Sequence, residues 1–142
     1  MQDNYTFPAI FDYANDGISI FFPDLANCFS CADNNSEAVF MATDALSLRL
    51  ISYEEDGSPI PEPSDVFEIK KRLEPNQILT LICVYMPHAR KRFNDYGCKR
   101  HQLFTNSKKT EKVIIPNLGG KMLPEKLSGK IIQFVKTYHE GD

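Results

Sequence analysis

The chain has 142 residues, of which 42% are hydrophobic and 25% charged, values typical of one folded domain or a small domain with an appendage. No apolar stretch approaches the roughly 18 residues of a membrane span, and the N-terminus lacks the basic start and apolar stretch of a signal peptide. We therefore expect a cytoplasmic protein without membrane contact, whose four cysteines are reduced thiols.

The net charge of -3 conceals an asymmetry between two parts of the chain. Residues 1–87 contain 4 Lys+Arg and 14 Asp+Glu, a balance of -10, whereas residues 88–142 contain 12 and 5, a balance of +7. A basic tail behind an acidic body indicates either binding to a polyanion or charge pairing between copies. The alternative is a solvated, lysine-rich surface without a specific role.

The N-terminal segment predicts three strands. Apolar residues alternate with others over residues 5–13, and Pro8, which cannot donate to a ladder, predicts a sheet edge at that residue. Asp16-Gly17 is a strong hairpin signal, and residues 18–22 alternate again. Residues 27–31 can form a short third strand.

A capped helix follows these strands. Asn34 is a good N-cap with Glu37 three residues later, and Asp56-Gly57 predicts the helix end. The three prolines in residues 58–64 predict an extended connector. The apolar run of residues 78–86 predicts a strand buried on both faces, at the centre of the sheet. The stripe that the helix buries contains Ala38, Met41, Ala42, Ala45 and Leu48.

The last third of the chain has weaker patterns. Residues 88–96 indicate a short helix or a linker, residues 103–104 a brief strand, and residues 112–115 a strand that Pro116 ends. Residues 124–138 predict a helix with proline in its first turn.

The first 87 residues resemble the HicB family of antitoxins, on motifs that agree in order and spacing from Phe7 to Ser64. The matching motifs are Phe7-Pro8-Ala9-Ile10-Phe11, Phe21-Phe22-Pro23-Asp24-Leu25, Cys28-Phe29, Asp33, Glu37-Ala38, Ala45-Leu46, Glu55-Asp56-Gly57 and Pro59-Ile60-Pro61-Glu62-Pro63-Ser64.

This resemblance implies an α+β fold, a truncated RNase H-like β-β-β-α-β domain without nuclease activity over residues 1–87. A small basic strand-helix tail over residues 88–142 would serve dimerisation or nucleic-acid binding. It also implies a HicA-like toxin partner that cuts mRNA, and operator DNA through which the antitoxin represses its own operon. We expect a homodimer or a higher oligomer, no cofactor and no enzymatic activity.

Two interpretations of the tail stay open. Lys109-Thr110 and Val113-Ile114-Ile115-Pro116 resemble the ribbon of a ribbon-helix-helix tail, but Gly119-Gly120 interrupts the helix expected next. The tail also resembles the C-terminal half of HicA toxins. That resemblance rests on Arg100-His101-Gln102-Leu103-Phe104, Ile115-Pro116-Asn117, Gly119-Gly120-Lys121, Leu123, Leu127 and Ile131.

The densest basic group is the candidate nucleic-acid surface, because cations neutralise phosphates and the interleaved Phe93 and Tyr96 can stack on bases. Its members, with the lysines that extend it, are Arg90, Lys91, Arg92, Lys99, Arg100, Lys108, Lys109 and Lys112. His101 is a general acid-base candidate if the tail is HicA-like; contact with RNA or DNA and an ordinary surface histidine are the alternatives, and the last is the interpretation we favour.

We predict no metal site and no catalytic residue. Cys28 and Cys31 form a CxxC, but Cys83 and Cys98 provide no second pair, so packed thiols are the simpler interpretation. Asp12, Asp16, Asp24 and Asp33 have no metal-loop spacing and are expected on a solvated surface, as are His88 and His139.

Three functions therefore compete. The first is a non-enzymatic antitoxin with a toxin partner. The second is a stand-alone nucleic-acid-binding regulator, and the third is a relic toxin-antitoxin fusion with weak RNase activity through His101.

Overall fold

The computed structural model describes residues 2–105 and 112–140, with side chains as far as Gln133. It has the mixed α+β architecture expected from the sequence, with one four-stranded and one two-stranded antiparallel sheet among these residues. The elements in chain order are β1 (Asn4–Ala14), β2 (Gly17–Phe21), β3 (Phe29–Ala32), α1 (Asn35–Asp56), α2 (Val66–Lys70), β4 (Gln77–Tyr85), α3 (Met86–Tyr96), β5 (His101–Thr105), β6 (Lys112–Pro116) and α4 (Glu125–Glu140).

The larger sheet has the strand order β3-β2-β1-β4, and each neighbouring pair is antiparallel. The predicted turn at Asp16-Gly17 joins β1 to β2, with Ala14 opposite Gly17. Gly17 has a φ of 135°, a backbone conformation that residues with a side chain rarely adopt. A Cβ at this position would lie 3.2 Å from the Ala32 carbonyl oxygen. Glycine is therefore required where the hairpin passes close to the end of β3.

The prediction for Pro8 is correct in a local sense. β1 lies inside the sheet, but its pairing with β2 begins at Ile10, so at Pro8 the strand has β4 alone as a neighbour. The missing N–H of proline therefore removes no hydrogen bond between β1 and β2.

The prediction for residues 78–86 is wrong in two respects. β4 lies at the edge of the sheet rather than at its centre. It is also not buried on both faces, because Ile78, Leu81 and Tyr85 each expose more than half of their surface. An apolar run alone cannot distinguish a central strand from an edge strand whose outer face is incompletely covered.

α1 begins and ends where the sequence predicts. The Asn34 side chain accepts a hydrogen bond of 2.9 Å from the Glu37 backbone N–H, which satisfies one of the free donors of the first turn. Gly57 ends the helix in the left-handed conformation. The predicted stripe is buried against the sheet, where it forms one core with residues such as Phe7, Phe11, Ile20 and Ile82.

The opposite face of the sheet is covered in part by α4 and α2. Leu127 of α4 is fully buried, and Lys130 places its ammonium 4.1 Å from the centre of the Phe21 ring. α2, which the sequence did not predict, buries Ile69 and contacts β4. Residues 88–96, for which the sequence indicated either a helix or a linker, lie in the helix α3. The predicted domain boundary at residue 87 falls in the first turn of this helix.

The C-terminal hairpin of β5 and β6 packs beside β3. Its backbone meets the loop before β3, because the Ile114 N–H donates a hydrogen bond of 2.8 Å to the Asn27 carbonyl. Cys28 and Ile114 form an isolated parallel bridge, and the Ile114 side chain lies in the same core as α1 and the sheet. Within the described residues the tail has the order helix, strand, strand, helix.

Candidate functional site

Four polar side chains meet where the tail packs against the body. We call Ser30, Asp44, Cys98 and His101 the polar cluster. Ser30 Oγ lies 2.8 Å from His101 Nε2, and His101 Nδ1 lies 2.9 Å from Asp44 Oδ2. The Cys98 thiol donates to the same carboxylate oxygen over 3.5 Å. The cluster therefore joins β3 and α1 to the start of β5 through directed polar contacts.

Local structure explains how each group reaches the cluster. Ser30 pairs with Ile20 in the register of β2 and β3, which places it on the core face of the sheet, towards α1. Asp44 lies on α1 between buried alanines, and His101 is the first residue of β5, opposite Pro116. The packing of the hairpin beside β3 thus brings the imidazole between the hydroxyl and the carboxylate.

The order hydroxyl, imidazole, carboxylate is also the order of groups in a serine hydrolase triad. The burial of these residues argues against that chemistry, because Ser30 is 0% and His101 1% exposed. A substrate cannot reach a nucleophile that is fully enclosed, so in this conformation the groups serve to hold the tail in place. The same burial withholds His101 from RNA.

The expectation that His101 is a surface histidine is therefore wrong. Both of its ring nitrogens have partners, and the body supplies both. No local signal in the sequence indicates this arrangement, since the partners are 71 and 57 residues away in the chain. The pattern around His101 shows only a short strand.

Proton affinities in the polar cluster follow from burial and from these contacts. Burial by itself raises the pKa of the Asp44 carboxyl, but the hydrogen bonds from His101 and Cys98 and the charges of His101 and Arg92 outweigh it and lower that pKa. Burial, and next the charge of Asp44, raises the pKa of the Cys98 thiol. Asp44 is therefore held as a carboxylate and Cys98 as a thiol.

The opposite charges of the acidic body and the basic tail pair with each other within one chain. Several basic side chains of the tail form ion pairs with carboxylates of the body, so the balance of -10 is partly neutralised by the balance of +7. This differs from pairing between copies, which the sequence left open. The pairs are Arg90 with Glu54, Arg92 with Asp44, Lys112 with Asp56, Lys121 with Asp33 and Lys126 with Asp12.

Three of the predicted nucleic-acid residues belong to these pairs. Arg90 contacts Glu54 through two nitrogens, at 3.0 and 2.8 Å, and Glu54 raises the pKa of the guanidinium. Arg92 lies 3.6 Å from Asp44 Oδ1, and Lys112 contacts Asp56. Such contacts compete with phosphate for the same charges.

The other predicted residues have different environments. Lys91 pairs with Asp95 on α3 and remains mostly exposed, and Arg100 lies over the ring of Phe40 at 4.2 Å. Lys99 is exposed, whereas Lys108 and Lys109 lie outside the described residues. Of the two interleaved aromatic residues, Tyr96 is exposed and Phe93 packs against the core.

The four aspartates predicted on a solvated surface are separated and engaged. Asp12 corrects the expectation most clearly, because it is 2% exposed and accepts hydrogen bonds from Lys126 at 2.8 Å and Gln77 at 3.0 Å. Its position beneath α4 explains its burial. The partners of Asp16, Asp24 and Asp33 are the Glu125 N–H, Ser64 and Lys121.

The cysteines of the CxxC motif are packed thiols, as predicted. Cys28 and Cys31 are both buried and free, and Cys28 donates to the Ala45 carbonyl at 3.6 Å. Burial raises the pKa of Cys28 to about 12, and burial, followed by Asp33 and Glu37, raises that of Cys31 to about 11. His88 is exposed, as expected, while the side chain of His139 lies outside those described. Along the described chain, no helix combines the length and the apolar character needed to cross a bilayer.

Comparison with models of known protein families gives a match that covers more than half of the chain. The model of a family described as "HicB_like antitoxin of bacterial toxin-antitoxin system" matches residues 7–94. This range includes the whole larger sheet from Phe7 onwards, α1, α2 and most of α3.

Two curated relatives match shorter stretches. The protein "Antitoxin HicB 2" of Photorhabdus laumondii subsp. laumondii is 36% identical over 64 residues, which cover 45% of this chain and 46% of that protein. An uncharacterized 14.9 kDa protein of Haemophilus phage HP1 is 29% identical over 83 residues, 58% of this chain and 62% of that protein. The matched part thus spans less than two thirds of the length of either relative.

One solved structure is similar over almost the full length. The match is to a chain of a toxin-antitoxin complex from Streptococcus pneumoniae, with 15% identity and a TM-score of 0.51. It covers 97% of this chain and 96% of that chain. At this identity the likeness concerns the fold.

Proposed function

This chain belongs to the family of HicB_like antitoxins of bacterial toxin-antitoxin systems, and from that membership we propose that it binds and neutralises a HicA-like mRNA interferase. The observation that carries the proposal is the family match over residues 7–94. Those residues fold into the sheet and α1, which share one continuous core. A protein of this kind acts in the cytoplasm, by binding its partner and not by catalysis.

We propose that residues 1–87 form a truncated RNase H-like domain that contacts the toxin, and that residues 88–142 serve dimerisation or nucleic-acid binding. Charge attraction would increase the rate at which a basic toxin associates with the acidic body. Five body carboxylates already pair with the tail. The attraction to a toxin would therefore come from exposed carboxylates such as those of Glu55 and Glu62.

The decisive experiment uses a gene for a small basic partner, identified by pull-down of the tagged chain from its native host and mass spectrometry. Its product is co-expressed with the tagged full-length chain, and we expect a stoichiometric complex in which cleavage of a test mRNA is suppressed. A Glu55→Lys, Glu62→Lys variant should associate more slowly at low salt, and the two proteins should converge at high salt. If neither a complex nor protection of the mRNA is seen, the proposed function is wrong.

A second part of the proposal concerns operator DNA. Lys99 and Lys91 are exposed basic residues of the tail, and Lys91 pairs only with exposed Asp95 of its own helix. The DNA contact is proposed for these two in preference to Arg90, Arg92 and Lys112, which are engaged with carboxylates of the body. Promoter DNA should be bound with an affinity that falls as salt rises, and Lys91→Ala with Lys99→Ala should flatten that dependence. Unchanged binding by this variant would place the DNA contact elsewhere.

We also propose a homodimer or a higher oligomer. The edge strand β4 supports this, because Leu81 and Tyr85 expose apolar surface beside backbone groups that have no neighbouring strand among the described residues. Light scattering on the full chain should give at least twice the monomer mass of 16.2 kDa. Leu81→Lys should lower the mass to that of one chain, whereas Phe67→Lys, at an exposed apolar residue of α2, should not.

A further inference from the structure

Three side chains of the polar cluster offer the atoms that transition metals prefer. Asp44 Oδ2, Cys98 Sγ and His101 Nδ1 all lie within 4.8 Å of one another. They combine one carboxylate, one thiol and one imidazole, each of which is a ligand of Zn²⁺. Within the described part of the chain, no other group of three His, Cys, Asp or Glu residues approaches so closely.

The separations of these atoms are close to those around a tetrahedral ion. Ligand atoms bound to Zn²⁺ in tetrahedral geometry lie about 3.3–3.7 Å from one another. Cys98 Sγ is 3.5 Å from Asp44 Oδ2, and His101 Nδ1 is 2.9 Å from the same oxygen. The third separation, from Cys98 Sγ to His101 Nδ1, is at most 4.8 Å, so small shifts of the three side chains would bring all the atoms to these values.

The surroundings of the three groups also resemble a metal site. Metal-binding histidines usually hold their second ring nitrogen in a hydrogen bond, which fixes the orientation of the ring. Here Ser30 Oγ is the hydrogen-bond partner of that second nitrogen, 2.8 Å from His101 Nε2. Arg92 lies at the other carboxylate oxygen of Asp44, Oδ1, so Oδ2 remains turned towards Cys98 and His101.

A cavity at the edge of the cluster can supply a water molecule as the fourth ligand. Asp44 and Cys98 both line a cavity of about 220 Å³ between α1, β4 and α3, and His88 and Cys83 line the same cavity. Binding of Zn²⁺ would release the proton of the Cys98 thiol to solvent, and the carboxylate and the resulting thiolate would together balance the charge of the divalent ion. A site with three protein ligands keeps one position for water.

We propose that Asp44, Cys98 and His101 bind one zinc ion, with a water from the adjoining cavity as the fourth ligand. The ion would fasten the C-terminal hairpin to α1, across the junction that hydrogen bonds hold in its absence. The site is independent of the proposed antitoxin function, since none of its features depends on a toxin or on DNA.

The test is a titration of the metal-free full-length chain with zinc chloride and, in parallel, with cobalt chloride. We expect one equivalent of Zn²⁺ to bind and raise the melting temperature. The Co²⁺ complex should have intense tetrahedral bands in the visible and a thiolate charge-transfer band in the near ultraviolet. Cys98→Ser should lose that charge-transfer band and the zinc-induced rise in melting temperature while keeping its circular dichroism spectrum.

Two variants in the same cavity are matched controls. Cys83→Ser and His88→Ala remove a thiol and an imidazole that line the cavity but do not belong to the three ligands, and both should bind Zn²⁺ like the wild type. Ser30→Ala removes the partner of the histidine and should weaken binding by about 10–100-fold. If Cys98→Ser binds Zn²⁺ as tightly as Cys83→Ser, or if the Co²⁺ complex has no thiolate band, the proposal is wrong.

Discussion

The core between the sheet and α1 is held by a different chemistry from the junction between α1 and the C-terminal hairpin. The core is continuous and apolar, and residues such as Phe7, Ile20 and Leu46 are fully buried in it. The junction rests on the polar cluster and on ion pairs. Apolar burial is non-directional, whereas each polar contact needs its own partner at a fixed position. The two regions should therefore respond differently to single substitutions.

The largest expected effect is in the core. Leu46→Ala removes a fully buried side chain from α1 and should lower the free energy of unfolding by about 2–5 kcal/mol. Val39→Ala, on the same helix but 47% exposed, should lower it by less than about 0.5 kcal/mol. Urea denaturation of both variants measures the difference. Equal values would show that α1 does not bury Leu46 in the core.

A smaller loss is expected in the polar cluster. His101→Ala leaves buried Ser30 without its side-chain partner and removes one partner of Asp44, so it should lower the free energy of unfolding by about 1–3 kcal/mol, whereas exposed His88→Ala should leave it nearly unchanged. The same proteins can be incubated with RNA. Cleavage by the wild type that disappears in His101→Ala would instead support the relic toxin-antitoxin fusion, with a conformation in which His101 is accessible.

The apolar region was largely predictable from the sequence, because its signals are local. The cap at Asn34, the stop at Gly57 and the turn at Gly17 each depend on a few neighbouring residues, and the structure has all three. The position of β4 in the sheet was predicted wrongly, because an apolar run indicates burial but does not indicate which neighbouring elements cover the strand. The motifs that resemble HicB lie in this region, and the family match confirms them.

The polar cluster could not be predicted, because its parts are far apart in the chain. Asp44 is 54 residues from Cys98 and 57 from His101, and a typical local spacing of metal or catalytic residues is absent. Burial of an imidazole between two elements depends on how the hairpin packs beside β3. The same argument applies to Asp12, whose position in an alternating strand gave no indication that α4 would cover it.

Ion pairs between the tail and the body should contribute unequally. Lys126 is the partner of buried Asp12, so Lys126→Met leaves a carboxylate that is 2% exposed without its cation and should lower the urea midpoint. Lys121 and Asp33 are both largely exposed, and Lys121→Met should leave the midpoint unchanged. A larger shift for Lys121→Met than for Lys126→Met would contradict this order.

The smallest perturbation uses the cysteines, whose reactivity reports how closed the core is. At about pH 8.5, exposed Cys83 should react rapidly with a thiol reagent, because the reagent can reach its sulfur. Cys28 should react only when the core unfolds, because burial raises its pKa to about 12. Cys83→Ser should remove the rapid phase and leave the slow one.

The same raised pKa determines a dependence on pH. The unfolded chain ionises Cys28 at a lower pH than the folded chain does, so this contribution to the free energy of unfolding is complete below about pH 8.5. It is lost as the pH rises towards about 12, the pKa of the folded state. Reaction of Cys28 at the rate of Cys83 in folded protein would mean that the loop before β3 opens without global unfolding.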